Sequence, residues 1–87
     1  MIDQTNMKLI LYHFEGCPYC YKVENALKEL VVEGLEHRDI LINPAYRDEL
    51  VSLNGIKQVP CLVVDGKPIL ESNDIVAFLR AHFPKRL

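Results

Sequence analysis

Two cysteines spaced by two residues, in Cys17-Pro18-Tyr19-Cys20, are the groups in this sequence best placed for covalent chemistry. Pro18 has the fixed φ and missing N–H that suit the first position of a helix, and Gly16 lets the chain bend before it. Cys17 is therefore predicted near the helix N-cap and Cys20 about one turn in. Unpaired N–H groups and the helix dipole favour a thiolate at such a position, with pKa values of about 3.5–7.5 against about 8.5 for a free thiol. Cys17 is the expected nucleophile. Cys20, more covered, is the expected resolving thiol, reaching back to attack a mixed disulfide formed at Cys17. The competing chemistry is zinc binding, which needs two further ligands at comparable spacing. Here Cys61, His13, His37 and His82 are scattered singly, so thiol–disulfide exchange is the reading and no metal site is expected.

The elements that must position this pair are legible on both sides of it. Leu9 to Tyr12 is a short continuous apolar run, as in a buried strand. Beyond Pro18, Val23, Ala26, Leu27, Leu30 and Val31 recur at helical spacing, and Glu33-Gly34 is the predicted end of that helix. Leu35 to Ile40 follows as a second strand. Asn43-Pro44 starts a second helix, Leu50, Val51 and Leu53 form its apolar side, and Asn54-Gly55 ends it. A right-handed crossover should lay the first two strands side by side or nearly so. Cys61 to Val64 is a strand, Asp65-Gly66 a two-residue hairpin turn, and Lys67 to Leu70 the return. Pro68 cannot donate to a ladder, so that last strand should lie at an edge or start late. Ser72 caps a third helix whose Ile75, Val76, Phe78 and Leu79 can face the core before Pro84 stops it. The order is βαβαββα, an α/β fold with a four-stranded mixed sheet flanked by three helices.

At 87 residues the chain is read as one domain spanning 1–87 with a single core. Its net charge of −2 and lack of a basic cluster speak against a nucleic-acid surface. No apolar run approaches the roughly 20 residues needed to cross a bilayer. The first six residues read as a polar lead-in without the pattern of a signal peptide, and three cysteines, an odd number, argue against a secreted disulfide framework. A cytoplasmic monomer is the expectation.

With C-P-Y-C following the first strand, this order resembles the glutaredoxins of the thioredoxin-like superfamily. Three separated matches carry the resemblance: Cys17-Pro18-Tyr19-Cys20, Val59-Pro60 and Ser72-Asn73-Asp74. It implies a glutathione-dependent thiol-disulfide oxidoreductase that reduces protein disulfides or protein–glutathione mixed disulfides, with glutathione as reductant. It also implies a cis bond before Pro60, turning the backbone of Val59 toward the site, where its N–H and C=O can pair with a peptide as a strand edge would. The γ-glutamyl carboxylate would rest on Ser72 and Asn73 at a helix N-terminus, with its ammonium near Asp74. Lys57 would lie near the glycine carboxylate, and Tyr19 would pack over the bound glutathione. Taken without the resemblance, Pro60 is an ordinary trans proline, Ser72 and Asp74 cap a helix, and Lys57 is a solvated charge.

Some residues depart from the family pattern. Many glutaredoxins carry a lysine or arginine shortly before the first active cysteine, where this chain has His13-Phe14-Glu15-Gly16. Leu70-Glu71 replaces a common Gly-Gly pair, and Glu71-Ser72 looks instead like the N-terminal domain of glutathione transferases. Cys61 after Pro60 is either a buried small residue or a third thiol close enough to exchange. Two other readings stand beside the main one. One is a dimer bridging an iron-sulfur cluster through Cys17 and glutathione, against which Pro18 tells; the other is a thioredoxin-like protein served by a reductase.

Overall fold

The first strand, β1 (Leu9–His13), sends alternate side chains to opposite faces of a sheet, and so divides the interior into two cores. The computed structural model describes residues 7–86, and the polar lead-in expected over residues 1–6 lies outside them. The remaining elements are α1 (Pro18–Glu29), β2 (Leu35–Asp39), α2 (Pro44–Asn54), β3 (Cys61–Val64), β4 (Lys67–Ile69) and α3 (Ser72–His82). The strands lie in the order β2-β1-β3-β4. β1 and β2 are parallel neighbours, while β3 runs antiparallel to both β1 and β4. This is the thioredoxin-like βαβαββα arrangement. Pro68 stands on the edge strand, where its missing N–H costs no ladder bond.

On one face, Leu9, Leu11 and Leu62 pack against Val23 and Leu30 from the α1 segment and Ile75, Leu79 and Phe83 from the α3 segment. On the other, Ile10, Tyr12, Cys61 and Val63 pack with Ile40 and Leu50, the one buried residue of α2. Arg38 ties this second layer together from β2. Its guanidinium donates to Glu49 on α2 at 2.6 Å and to the Tyr12 hydroxyl at 3.2 Å, and that hydroxyl donates to Glu49 at 3.0 Å. The Asp65-Gly66 turn has positive φ at both residues, as the tight hairpin requires. Asp65 also accepts a bond from the Lys8 amide through its carboxylate, which pins the hairpin beside the start of β1.

Three sequence expectations need correction. α1 ends at Glu29, not at Gly34, because Leu30 turns extended, drops its side chain into the core and bridges Lys85. The Val31 amide bonds to the Pro84 carbonyl at 2.8 Å and the Arg86 amide to the Glu29 carbonyl at 2.8 Å, so the returning C-terminal segment takes the place of another helical turn. Val31 is consequently a surface residue. Val51 and Leu53 are exposed on α2, since only the Leu50 stripe faces the sheet. Finally, Glu71 is the N-cap of α3 and Ser72 its first helical residue. Among the described residues, no helix is long and apolar enough to cross a membrane.

The division of α2 into one buried and two exposed apolar positions can be measured. Leu50→Ala should cost about 2–5 kcal/mol of folding stability, as truncation of a fully buried leucine does. Val51→Ala should stay within about 0.5 kcal/mol. Urea unfolding of the two variants checks this; equal losses would contradict the burial described.

Candidate active site

The loop leaving β1 brings the first cysteine to the helix start as its sequence predicts. Gly16 has φ +94°, the left-handed backbone that a side chain would strain. The Cys17 amide donates to the Phe14 carbonyl at 3.4 Å, closing the turn. Cys17 is then the N-cap of α1 in extended conformation, with Pro18 as the first helical residue. Its carbonyl accepts the first helical bond, from the Tyr21 amide at 3.2 Å. No side chain caps this end, so the donor groups of the first turn remain open to a negative sulfur.

Both cysteines are buried, Cys17 with 5% and Cys20 with 2% of its surface exposed. The contrast in cover expected between them is therefore small. What separates them is the charge environment of Cys20. Burial first, and the adjacent Cys17 sulfur second, push the Cys20 thiol up to about 12, against a smaller opposing effect from the Phe14 backbone N–H that faces it. A thiol so placed stays protonated at neutral pH. Cys61 is completely buried beneath the sheet with Ile10, Tyr12 and Leu50. Burial pushes its thiol up too, against a bond donated by the Asn54 amide at 3.5 Å. It belongs to the apolar layer, the first of the two roles left open for it.

Beside the motif lies a cleft of about 350 Å³ lined by Tyr19, Lys22, Gln58, Val59, Pro60, Leu70, Glu71, Ser72 and Asn73. The Val59–Pro60 peptide bond is cis. Five residues singled out in the sequence thus meet here from three distant segments: Tyr19, Val59, Pro60, Ser72 and Asn73. Cys17 and Cys20 flank the lining residue Tyr19 at the start of α1 and are not themselves part of the cleft's wall. Asp74 is one residue past its wall, exposed in the first turn of α3. Lys57 points elsewhere. It lines a second depression with Phe14, Ile40, Leu41, Pro44 and Arg47, which shares only Val59 with the first.

Lys22, Gln58 and Glu71 are wall residues that motif reasoning did not place. Lys22 sits one helical turn from Tyr19, with its ammonium 6.0 Å from that ring's centre, a spacing visible in the sequence once Tyr19 is put in the site. Gln58 donates to the Leu70 carbonyl at 3.2 Å and to the Glu71 carboxylate at 3.3 Å, joining the segment before Pro60 to the approach to α3. That link is tertiary and has no local signal. Among the described residues, no group of three or more His, Cys, Asp or Glu side chains could hold a metal ion.

Comparison with known proteins adds a family to this geometry. A family model described as Glutaredoxin matches residues 9–69. Prostaglandin E synthase 2 of Danio rerio is 31% identical over 72 residues, covering 83% of this chain and 18% of that protein. Among solved structures, glutaredoxin 2 from Chlamydomonas reinhardtii in its oxidised form is 28% identical, with a TM-score of 0.64, covering 84% of this chain and 71% of that one. Glutathione S-transferase unclassified 2 from Bombyx mori, 21% identical, shares the fold at a TM-score of 0.76 over 91% of this chain and 37% of that one. The chain thus spans less than a fifth of the curated relative and little over a third of the transferase.

The elevated Cys20 thiol has two consequences in solution. Pushed up to about 12 by burial and by the adjacent Cys17, this thiol keeps its proton at pH 8. Iodoacetamide at that pH should therefore alkylate Cys20 more slowly in the folded protein than in urea, by on the order of a hundredfold or more, as peptide mass spectrometry would record. The folded-state pKa is raised above the unfolded value of about 8.5, so the stability linked to Cys20 is fully present below about pH 8.5 and is lost as pH rises toward 12. Melting curves of wild type should fall more steeply than those of Cys20→Ser from pH 8.5 upward; parallel curves would contradict the shift.

Proposed function

Because the chain belongs to the glutaredoxin family, we propose that it is a glutathione-dependent thiol-disulfide oxidoreductase acting on protein disulfides or on protein–glutathione mixed disulfides. The observation that carries this reading is the cleft lined by Tyr19 of the C-P-Y-C motif, which joins it to Val59, Pro60 and the N-terminus of α3. In this reading the backbone of Val59 pairs with the peptide of glutathione as a strand edge would. Ser72 and Asn73, at the positive end of α3, receive the γ-glutamyl carboxylate, and Asp74 lies where the adjoining ammonium can be met. Tyr19 packs over the tripeptide. Lys22, on the same wall, supplies a further positive charge for a carboxylate. Lys57 belongs with Arg47 in the neighbouring depression and serves a glycine carboxylate only if the tripeptide extends past Val59.

The chemistry follows from the placement of the sulfurs. The Cys17 thiolate attacks a sulfur of the substrate disulfide, and the electron pair of the broken S–S bond leaves on the other sulfur as a thiolate. The resulting mixed disulfide at Cys17 is opened in one of two ways. When the substrate is a glutathione mixed disulfide, a glutathione thiolate attacks the Cys17–glutathione adduct, restores Cys17 and leaves as glutathione disulfide; when it is a protein disulfide, Cys20 attacks the Cys17 adduct, releases the reduced substrate and forms an internal disulfide that two glutathione molecules then reduce. In each route glutathione is oxidised to its disulfide and the substrate is reduced by two electrons. We take residues 1–87 as one domain that works as a monomer.

The test is reduction of a small glutathione mixed disulfide by reduced glutathione. Cys17→Ser should remove activity to background, whereas Cys20→Ser should keep it, since glutathione itself can resolve the adduct. Ser72→Ala should raise the KM for glutathione by about fivefold, the loss of about 1 kcal/mol from one hydrogen bond. Full activity in Cys17→Ser would overturn the reading.

A further inference from the structure

The exchange chemistry above leaves the second depression unused. It encloses about 430 Å³, and its lining is apolar except for two cations, Arg47 and Lys57, with no acidic side chain in the wall. Both cations are exposed, which puts them at its rim. Arg47 meets the carboxylate of its neighbour Asp48 only at 3.8 Å, too far for a hydrogen bond, and among the described residues Lys57 has no ion-pair partner. Asp48 and Glu49 line a separate groove on α2, and Glu49 is taken up by Arg38. An apolar hollow rimmed by cations without close counterions is complementary to a ligand that has an apolar body and a carboxylate.

The same edge of the molecule holds apolar side chains out in water. Leu41, in the wall, is 69% exposed, and its neighbour Ile42 is 79% exposed. Their loop is fixed rather than loose. The Asp39 carboxylate accepts bonds from the Leu41 amide at 2.8 Å and the Ile42 amide at 3.1 Å, and the Asp39 carbonyl accepts one from the Asn43 amide at 3.2 Å. Apolar groups presented on a fixed turn beside a hollow mark a contact surface. The depression is also continuous with the site. Val59 lines both it and the first cleft, and the carbonyl of Phe14, another wall residue, accepts the Cys17 amide at 3.4 Å.

We propose that this depression docks the residues flanking the target cysteine of a protein substrate, and that it selects flanks that are apolar and acidic. This rests on the reading of Cys17 as the nucleophile of an oxidoreductase. A substrate peptide paired with the Val59 backbone as an added strand advances about 3.3 Å per residue, and it passes from one depression to the other across that single residue. The side chains offered to the second depression are therefore those close to its cysteine in sequence. An apolar side chain enters between Phe14 and Leu41, and an adjacent carboxylate meets Arg47 and Lys57 at the rim. A lysine in the same place meets two like charges, so the rim excludes basic flanks as well as attracting acidic ones.

The experiment reads docking as an exchange equilibrium at Cys17. Cys20→Ser protein, which holds its adducts unresolved, is loaded by glutathione disulfide and equilibrated without oxygen with reduced glutathione and one of two peptides, Glu-Leu-Cys-Leu-Glu or Lys-Leu-Cys-Leu-Lys, acetylated and amidated at their ends. The peptide thiolate attacks the Cys17 sulfur and glutathione leaves as a thiolate, so the ratio of the two adducts by mass reads how well each peptide is held. Adding Arg47→Glu should lower the preference for the glutamate peptide over the lysine peptide by about fivefold, and comparing proteins in this way cancels the intrinsic reactivity of each peptide thiol. Lys57→Glu should act in the same direction, which covers a failure of the first variant to fold. Lys67→Glu, at the opposite end of the sheet, should leave the preference within about a factor of two. A preference that neither Arg47→Glu nor Lys57→Glu moves, or that Lys67→Glu moves as far, would overturn the proposal and leave the oxidoreductase reading intact. So would an Arg47→Glu protein that loses the glutathione adduct against both peptides alike, since the depression would then serve the glycine carboxylate of glutathione. A protein that forms no adduct at Cys17 with glutathione or either peptide would overturn that reading and this proposal together.

Discussion

The turn from Phe14 to Cys17 is the constraint on which the site depends. It reverses the chain within three residues by using the left-handed backbone of Gly16 and one bond between the Cys17 amide and the Phe14 carbonyl. The exit point of β1 and the entry point of α1 are thereby locked together. Because Val23 and Leu30 bury their side chains in the same core as Leu9 and Leu11, α1 cannot slide along the sheet without opening a cavity. The position of the cysteines relative to β1 is set by that packing, and with it the separation of their environments.

Burial does different things to the two sulfurs. Cys17 stands at the N-cap of α1, where no side chain caps the helix. Cys20, one turn in, loses water, gains Cys17 as a neighbour and keeps its proton.

The cleft is a second consequence of topology. β3 lies next to β1, so the segment leading into β3 must pass the start of α1, and the edge strand β4 delivers the N-terminus of α3 to the same end of the sheet. Gln58 closes the arrangement by bonding across to Leu70 and Glu71. Three short segments far apart in the chain become one surface. α2, on the opposite face, is held by Leu50 and by the cluster of Arg38, Glu49 and Tyr12, and it presents Arg47 to the adjoining depression.

The amino-acid sequence by itself determined the order of elements and the chemistry of the motif, because those rest on local causes. Pro18 and Pro44 start helices through their own ring geometry, Asp65-Gly66 makes a tight turn through its own backbone freedom, and alternation along β1 needs no distant partner. Only the tertiary structure decided where α1 stops, since Leu30 chooses between helix and extended chain according to whether Lys85 is there to bridge it. The same holds for Lys57, Lys22 and Gln58, whose place relative to the cleft depends on which way separate segments face.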